Sequence, residues 1–250
     1  MISFFRRFYR LFLSFFACIY YNECVIKKSA LDVCPLPFSS YRFIQNGLSL
    51  LLALFLICLS VQLTLLFKPL YYFDIQYLNI PVQSHLSRVR IVENYNYMID
   101  YLLNPMPQTF HLPSLSYSQH GRIHFEDVKR IFTGIDILLL VTGIAGAAGF
   151  YSNIRNKDFH FLKTTAVALI LFTIVPLTAF FLDFNDSFIF FHKLFFRNNY
   201  WIFNAATDPV ITILPESFFF HAAMMVLGLI LAAVLLLMIA YKTLTRKTRG

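Results

Sequence analysis

The sequence predicts an integral membrane protein of four transmembrane α-helices with an extracellular cap of mixed α/β structure. Three observations predict it. Hydrophobic residues make up 58% of the chain and charged residues only 14%, the composition of a membrane protein rather than a soluble domain. Four windows are apolar over the length needed to span, about 20 helical residues for a hydrocarbon core of roughly 30 Å. Basic residues then gather on one side of those windows, as orientation in a membrane requires.

The windows are Leu48–Phe67, Ile131–Tyr151, Phe161–Leu182 and Phe218–Tyr241. Helices are expected there because a helix satisfies its own backbone groups in lipid. Before the first window come Arg6, Arg7, Arg10, Lys27, Lys28 and Arg42. Between the second and third, or just inside the third, lie Arg155, Lys157 and Lys163, and after the fourth come Lys242, Arg246, Lys247 and Arg249. Only Glu23, Asp32 and Asp158 oppose them. Both termini and the short loop are therefore expected in the cytoplasm of a multi-pass cell-membrane protein. The net charge of +8 reports this topology and anionic headgroups, so nucleic acid is not an expected partner.

The expected organisation is a cytoplasmic extension (1–43), a first span (44–67), an extracellular cap (68–130) and a second span (131–151). A third span (161–182), an extracellular interfacial segment (183–217), a fourth span (218–241) and a basic cytoplasmic tail (242–250) follow. In the extension, Leu11–Tyr21 is apolar but short for a span, and spanning would carry the first basic cluster outward. An interfacial helix on the inner leaflet is the expectation, and a start codon assigned upstream is the alternative. Cys18, Cys24, Cys34 and Cys58 all precede the cap and form no C-x-x-C pair, so no disulfide staples the outward regions.

In the cap, the aromatic-rich run Tyr71–Leu78 alternates loosely and is expected to be a strand. Val89–Leu103 carries Ile91, Val92, Tyr95, Met98, Ile99 and Leu102 at helical spacing and stops before Asn104-Pro105. Leu115–Phe125 is expected as a second strand or an extended arm. Glu126 and Asp127 then open a helix running into the second span, acids at its positive end. The later segment 183–217 is banded with Phe184, Phe188, Ile189, Phe191, Phe195 and Phe196, which suits a piece lying along the headgroup boundary. Gly143, Gly146 and Gly149 are expected to let helices approach closely in the second span.

Of the seven histidines, two sit in motifs beside the ends of spans on the same expected side. They are Arg122-Ile-His124-Phe-Glu-Asp127-Val-Lys129 and Phe190-Phe-His192-Lys-Leu-Phe-Phe196. Histidine both accepts and gives a proton near neutral pH, so the pair suits proton shuffling on a lipid. His221, about a turn inside the fourth span, is read either as functional or as hydrogen-bonded to a neighbouring helix. His120 and His124 have zinc-like spacing, but Gly121 and the extended pattern argue against a helix there, and no metal is expected. There is no G-x-S-x-G elbow, and the outward regions lack cysteine. Any nucleophile must then come from the substrate.

These residues resemble the bacterial lipoprotein intramolecular transacylases, from about Ile44 to Tyr241. The matching pieces are Asn94-Tyr95 with Tyr101-Leu102, His124 through Lys129, Phe191-His192 with Phe195-Phe196, Trp201 to Asp208, and Leu214-Pro215-Glu216-Ser-Phe-Phe219. Their order and spacing around the spans carry the match. The resemblance implies catalytic histidines at His124 and His192, facing the extracellular membrane interface. It implies movement of the sn-2 acyl chain of a diacylglyceryl group onto the α-amino group of a lipoprotein's terminal cysteine. No cofactor is implied; the implied partners are a diacylated lipoprotein and membrane lipid.

Chemistry fits that implication. An α-amine titrates near pH 7.7–8.0, within reach of a histidine base, and its attack closes a ring of about eight atoms that must be folded in advance. Aromatic walls from Tyr95, Tyr101, Phe195 and Trp201 are expected to fold it. Lys129 or Asn94 is expected to meet the oxyanion, Asp127 to position a histidine, and Asp208 and Glu216 to orient the cap. Which histidine is base and which acid stays open, with His192 favoured as base. So do two other classes, a non-catalytic membrane assembly or immunity-type protein and a membrane lipid or lipoprotein hydrolase using water.

Overall fold

Helices α1 (Phe38–Leu66), α5 (Gln119–Arg155), α6 (His160–Leu182) and α9 (Glu216–Lys247) are each long and apolar enough to cross a membrane. The computed structural model describes residues 38–248, with side chains from 41. The interfacial helix expected at Leu11–Tyr21 lies outside the described residues. The chain divides into two units, residues 1–47 and 48–250, and all that follows concerns the second.

Between these four run shorter helices: α2 (Lys68–Tyr77), α3 (Ile80–Ser84), α4 (Arg88–Leu103), α7 (Phe184–Phe195) and α8 (Val210–Ile213). No strand occurs among the described residues, which corrects the expected α/β cap. The reason is legible in α2. Strand alternation would put Tyr71, Phe73, Ile75 and Tyr77 on one face. Instead Tyr71, Asp74 and Ile75 are buried while Phe73 and Tyr77 are 60% and 63% exposed, the i, i+3, i+4 face of a helix. Pro69, in the first turn, has the fixed φ that starts one. The second expected strand also fails: residues 115–118 form no strand, and Ser118, itself extended, caps α5 by accepting from the Gly121 N–H at 3.0 Å. The helix therefore starts well before Glu126, and His120 and His124 both lie on it.

A 37-residue α5 is about 55 Å long at 1.5 Å per residue, well beyond a hydrocarbon core of roughly 30 Å. Its first turns therefore project from the apolar stretch and join the cap. The cap core gathers Tyr71, Ile75, Ile91, Tyr95, Met98, Phe110, Phe125, Val210 and Ile213, so α2, α4, α8 and the start of α5 share one apolar interior. Farther along, α6 and α9 pack together with α1 through Ala53, Ala166, Leu169, Ile230 and Val234. Two α5 glycines admit α1: a Cβ on Gly149 would meet Leu48 Cδ1 at 2.3 Å, and one on Gly143 would meet Phe55 at 3.2 Å. Gly146 would meet nothing within 4 Å, so close approach does not explain it.

Candidate active site

His124 and His192 come together from two different helices: one in the second turn of α5, the other near the end of α7. Their ring centroids are 6.0 Å apart, tilted by 30°. His124 is 7% exposed, and its Nδ1 is buried with no hydrogen-bond partner among the described residues. His192 Nδ1 lies 2.8 Å from the Phe188 carbonyl oxygen, one helical turn back. A carbonyl only accepts, so the neutral His192 ring carries its proton on Nδ1 and leaves the Nε2 lone pair open. Burial holds the His192 pKa below its ordinary value, with the Phe188 carbonyl opposing.

Aromatic rings enclose the pair. Phe196 stands 4.7 Å from His124 and 5.6 Å from His192, Phe203 lies edge-on 5.4 Å from His124, and Phe188 and Trp201 flank His192 at 4.2 and 4.9 Å. Trp201 Nε1 is buried and has no hydrogen-bond partner among the described residues. An N–H donor among aromatic rings beside the His192 imidazole is an arrangement that can meet developing negative charge.

Of the four aromatic walls expected from the sequence, only Trp201 touches a histidine ring. Tyr95 stacks on Tyr71 at 3.7 Å inside the cap core, and Tyr101 is buried there against Phe110. Burial pushes both phenols above their ordinary range, so they stay neutral. Phe195 packs on Phe191 and is 50% exposed. Phe188, Phe196 and Phe203 supply the enclosure instead, and the i, i+4 pairing of Phe188 and Phe196 with His192 was the signal available for two of them.

The expected oxyanion donors are otherwise engaged. Asn94 is fully buried; its Nδ2 donates to Arg90 O and Ser114 Oγ, and its Oδ1 accepts from Ser114 N. It pins the 104–118 loop to α4. Lys129 donates to Met106 O at 3.0 Å and sits over the Tyr101 ring, about 140° round α5 from His124 at 100° per residue. It lines a separate groove of about 540 Å³ with Met106 and Ile137.

The remaining polar residues hold the frame. Asp208 Oδ1 accepts from the Ser118 N–H at 2.8 Å and so reaches the amino end of α5. A Cβ on Gly121 would meet that same oxygen at 2.2 Å, so only glycine lets the carboxylate sit there. Asp127 pairs with Arg130 and accepts from Asn198 at 3.2 Å, tying α5 to the chain just after α7. Glu216 accepts from Asn185 at 2.9 Å, joining the starts of α9 and α7.

His221 takes the second of its two expected readings, a hydrogen bond to a neighbouring helix, but its partner was not among the expected residues. Asp74 of α2 is fully buried and its Oδ1 accepts from His221 Nδ1 of α9 at 2.8 Å. Burial raises the Asp74 pKa, and His221 opposes the rise. The signal was a lone acid among aromatics, three residues past Tyr71.

The family model described as lipoprotein intramolecular transacylase Lit matches residues 46–219. The structure resembles the membrane-integral lipoprotein intramolecular transacylase Lit from Bacillus cereus at 36% identity, with a TM-score of 0.81 over 83% of this chain and 97% of that one. Two further Bacillus cereus structures, with one histidine replaced by arginine or by alanine, match at 36% identity and TM-scores of 0.76, over 83% of this chain and 93% or 94% of theirs. No curated protein sequence matches the chain. The chain is a member of the lipoprotein intramolecular transacylase family.

Proposed function

We propose that this protein moves the sn-2 acyl chain of a diacylated lipoprotein onto the α-amino group of its terminal cysteine, giving the N-acyl lyso-form. The family membership supports the reaction class. The observation that carries the residue assignment is the His192 tautomer, with Nδ1–H held by Phe188 and Nε2 left as the basic nitrogen of a ring 6.0 Å from that of His124. In this reading Nε2 of His192 takes the proton from the attacking amine as the C–N bond forms. The tetrahedral oxyanion is met by Trp201 Nε1–H. The ester C–O bond then breaks as His192 passes the amine's proton to His124, which gives a proton to the departing glyceryl oxygen.

The substrate brings its own nucleophile, and an ester becomes an amide, so no external energy is consumed. Phe188, Phe196 and Phe203 exclude water and press the lipid into the cyclic arrangement the attack needs. The site is assigned to the outer membrane boundary with both termini cytoplasmic, on the basic residues flanking the helices. The interfacial character of α7 supports that placement.

Mass spectrometry of a lipoprotein's terminal peptide, from cells with and without this protein, tests the proposal. Retained acyl mass with the chain on nitrogen supports it. Loss of one chain points to hydrolysis, and no change points to a non-catalytic protein.

A further inference from the structure

The first two turns of α9 are gripped on opposite faces. At 100° per residue, Glu216, Phe219 and Phe220 share one face, and Phe218 and His221 share the other. The first face meets α7: Glu216 accepts from Asn185, Phe219 lies 5.3 Å from Phe188, and Phe220 lies 5.2 Å from Phe184. The second face meets α2: Phe218 stands edge-on to Tyr71 at 5.1 Å, and His221 donates to Asp74. Tyr71 also donates to Ile213 O at 2.7 Å, two residues before Pro215.

Pro215 gives α9 no side-chain cap, so these contacts hold this end of the helix, beyond its packing on α6 and α1 farther along. The apolar ones tolerate some rotation; the two polar ones, Asn185–Glu216 and Asp74–His221, hold only over a narrow range of angle and distance, and of these the first is exposed while Asp74 is fully buried. Asp74 is also an expensive anchor. It is 0% exposed, and its Oδ2 is buried with no hydrogen-bond partner among the described residues. A well-packed apolar pair would hold the helices at least as firmly, so specificity of position is what the polar pair adds. Rotation of α9 that broke it would swing Phe219 off Phe188, whose ring lies against His192 and whose carbonyl holds His192 Nδ1.

We infer that Asp74 and His221 are positioning residues for His192, acting through Phe219 and Phe188. The inference rests on the proposed role of His192 as base. It is tested on the full-length purified protein with Asp74→Ala, Asp74→Asn and His221→Phe, measuring kcat and KM for acyl transfer per folded molecule and the NMR titration of the His192 ring. Asp74→Asn keeps an acceptor for His221 and should retain most of kcat. Asp74→Ala and His221→Phe should lower kcat about ten- to hundredfold with little change in KM, and should shift the His192 titration from that of the wild type. If Asp74→Ala fails to fold, His221→Phe, which keeps a ring in place, carries the test. An unchanged kcat, or a lowered kcat with an unchanged His192 titration, overturns the inference. Full activity in His192→Ala would instead remove the catalytic reading, leaving the His192 titration to decide the positioning.

Discussion

His192 donates its Nδ1–H to the carbonyl of Phe188 at 2.8 Å, and this one bond fixes which ring nitrogen can act as a base. His192→Asn makes the consequence measurable. Its amide can still donate to the Phe188 carbonyl but has no counterpart of Nε2. The variant should fold like wild type and lose at least about 10²-fold in transfer rate, the low end of what a general base contributes. Circular dichroism and a transfer assay check it.

The pH dependence follows from burial. His192 must be neutral to take a proton, and its pKa is lowered, so it stays neutral on the acid side of the free-histidine value of about 6.5. As pH falls, kcat/KM should first drop through protonation of the substrate amine, near pH 7.7–8.0 if unperturbed. It should steepen through His192 only below about 6.5. A slope at pH 7 already greater than the single amine titration accounts for contradicts the assignment.

Trp201→Phe separates the indole N–H from the indole's bulk. Losing one donor to an oxyanion lowers kcat about 10²–10³-fold, whereas the ring that keeps His192 dry is largely retained. The expected outcome is a lower kcat with the acid limb unmoved. A limb that shifts while kcat holds would make Trp201 a wall only.

Gly121→Ala should destabilise the protein by about 1–3 kcal/mol, because its Cβ would displace Asp208 Oδ1 from the Ser118 amide. In an Asp208→Ala background most of that cost should vanish, since the clash is gone. Thermal unfolding in detergent of the two single variants and the double variant checks it.

The long apolar helices and the histidine pair were legible in the sequence because each rests on a strong local signal: about 20 apolar residues in one case, a titratable residue at a span boundary in the other. The cap was not, and α2 explains why. Tyr71-Tyr72-Phe73 favours strands by composition, while the helix is decided by Pro69 and by burial of Tyr71, Asp74 and Ile75 against partners distant in sequence. The same distance hid the site's details. Asn94 is committed to Ser114 and Lys129 to Met106, pairings no local pattern announces. Asp74 meets His221 across 147 positions, so neither residue alone could name the other.

The most direct measurement follows one labelled chain. A purified diacylated lipoprotein carrying a deuterated sn-2 acyl group is incubated with wild type, His124→Ala or His192→Asn, and its terminal peptide is fragmented in a mass spectrometer. Wild type should move the deuterated acyl group from the glyceryl oxygen to the cysteine nitrogen within the same molecule, and both variants should leave it esterified to the glyceryl oxygen. Transfer at the wild-type rate by either variant would contradict a mechanism run by this histidine pair.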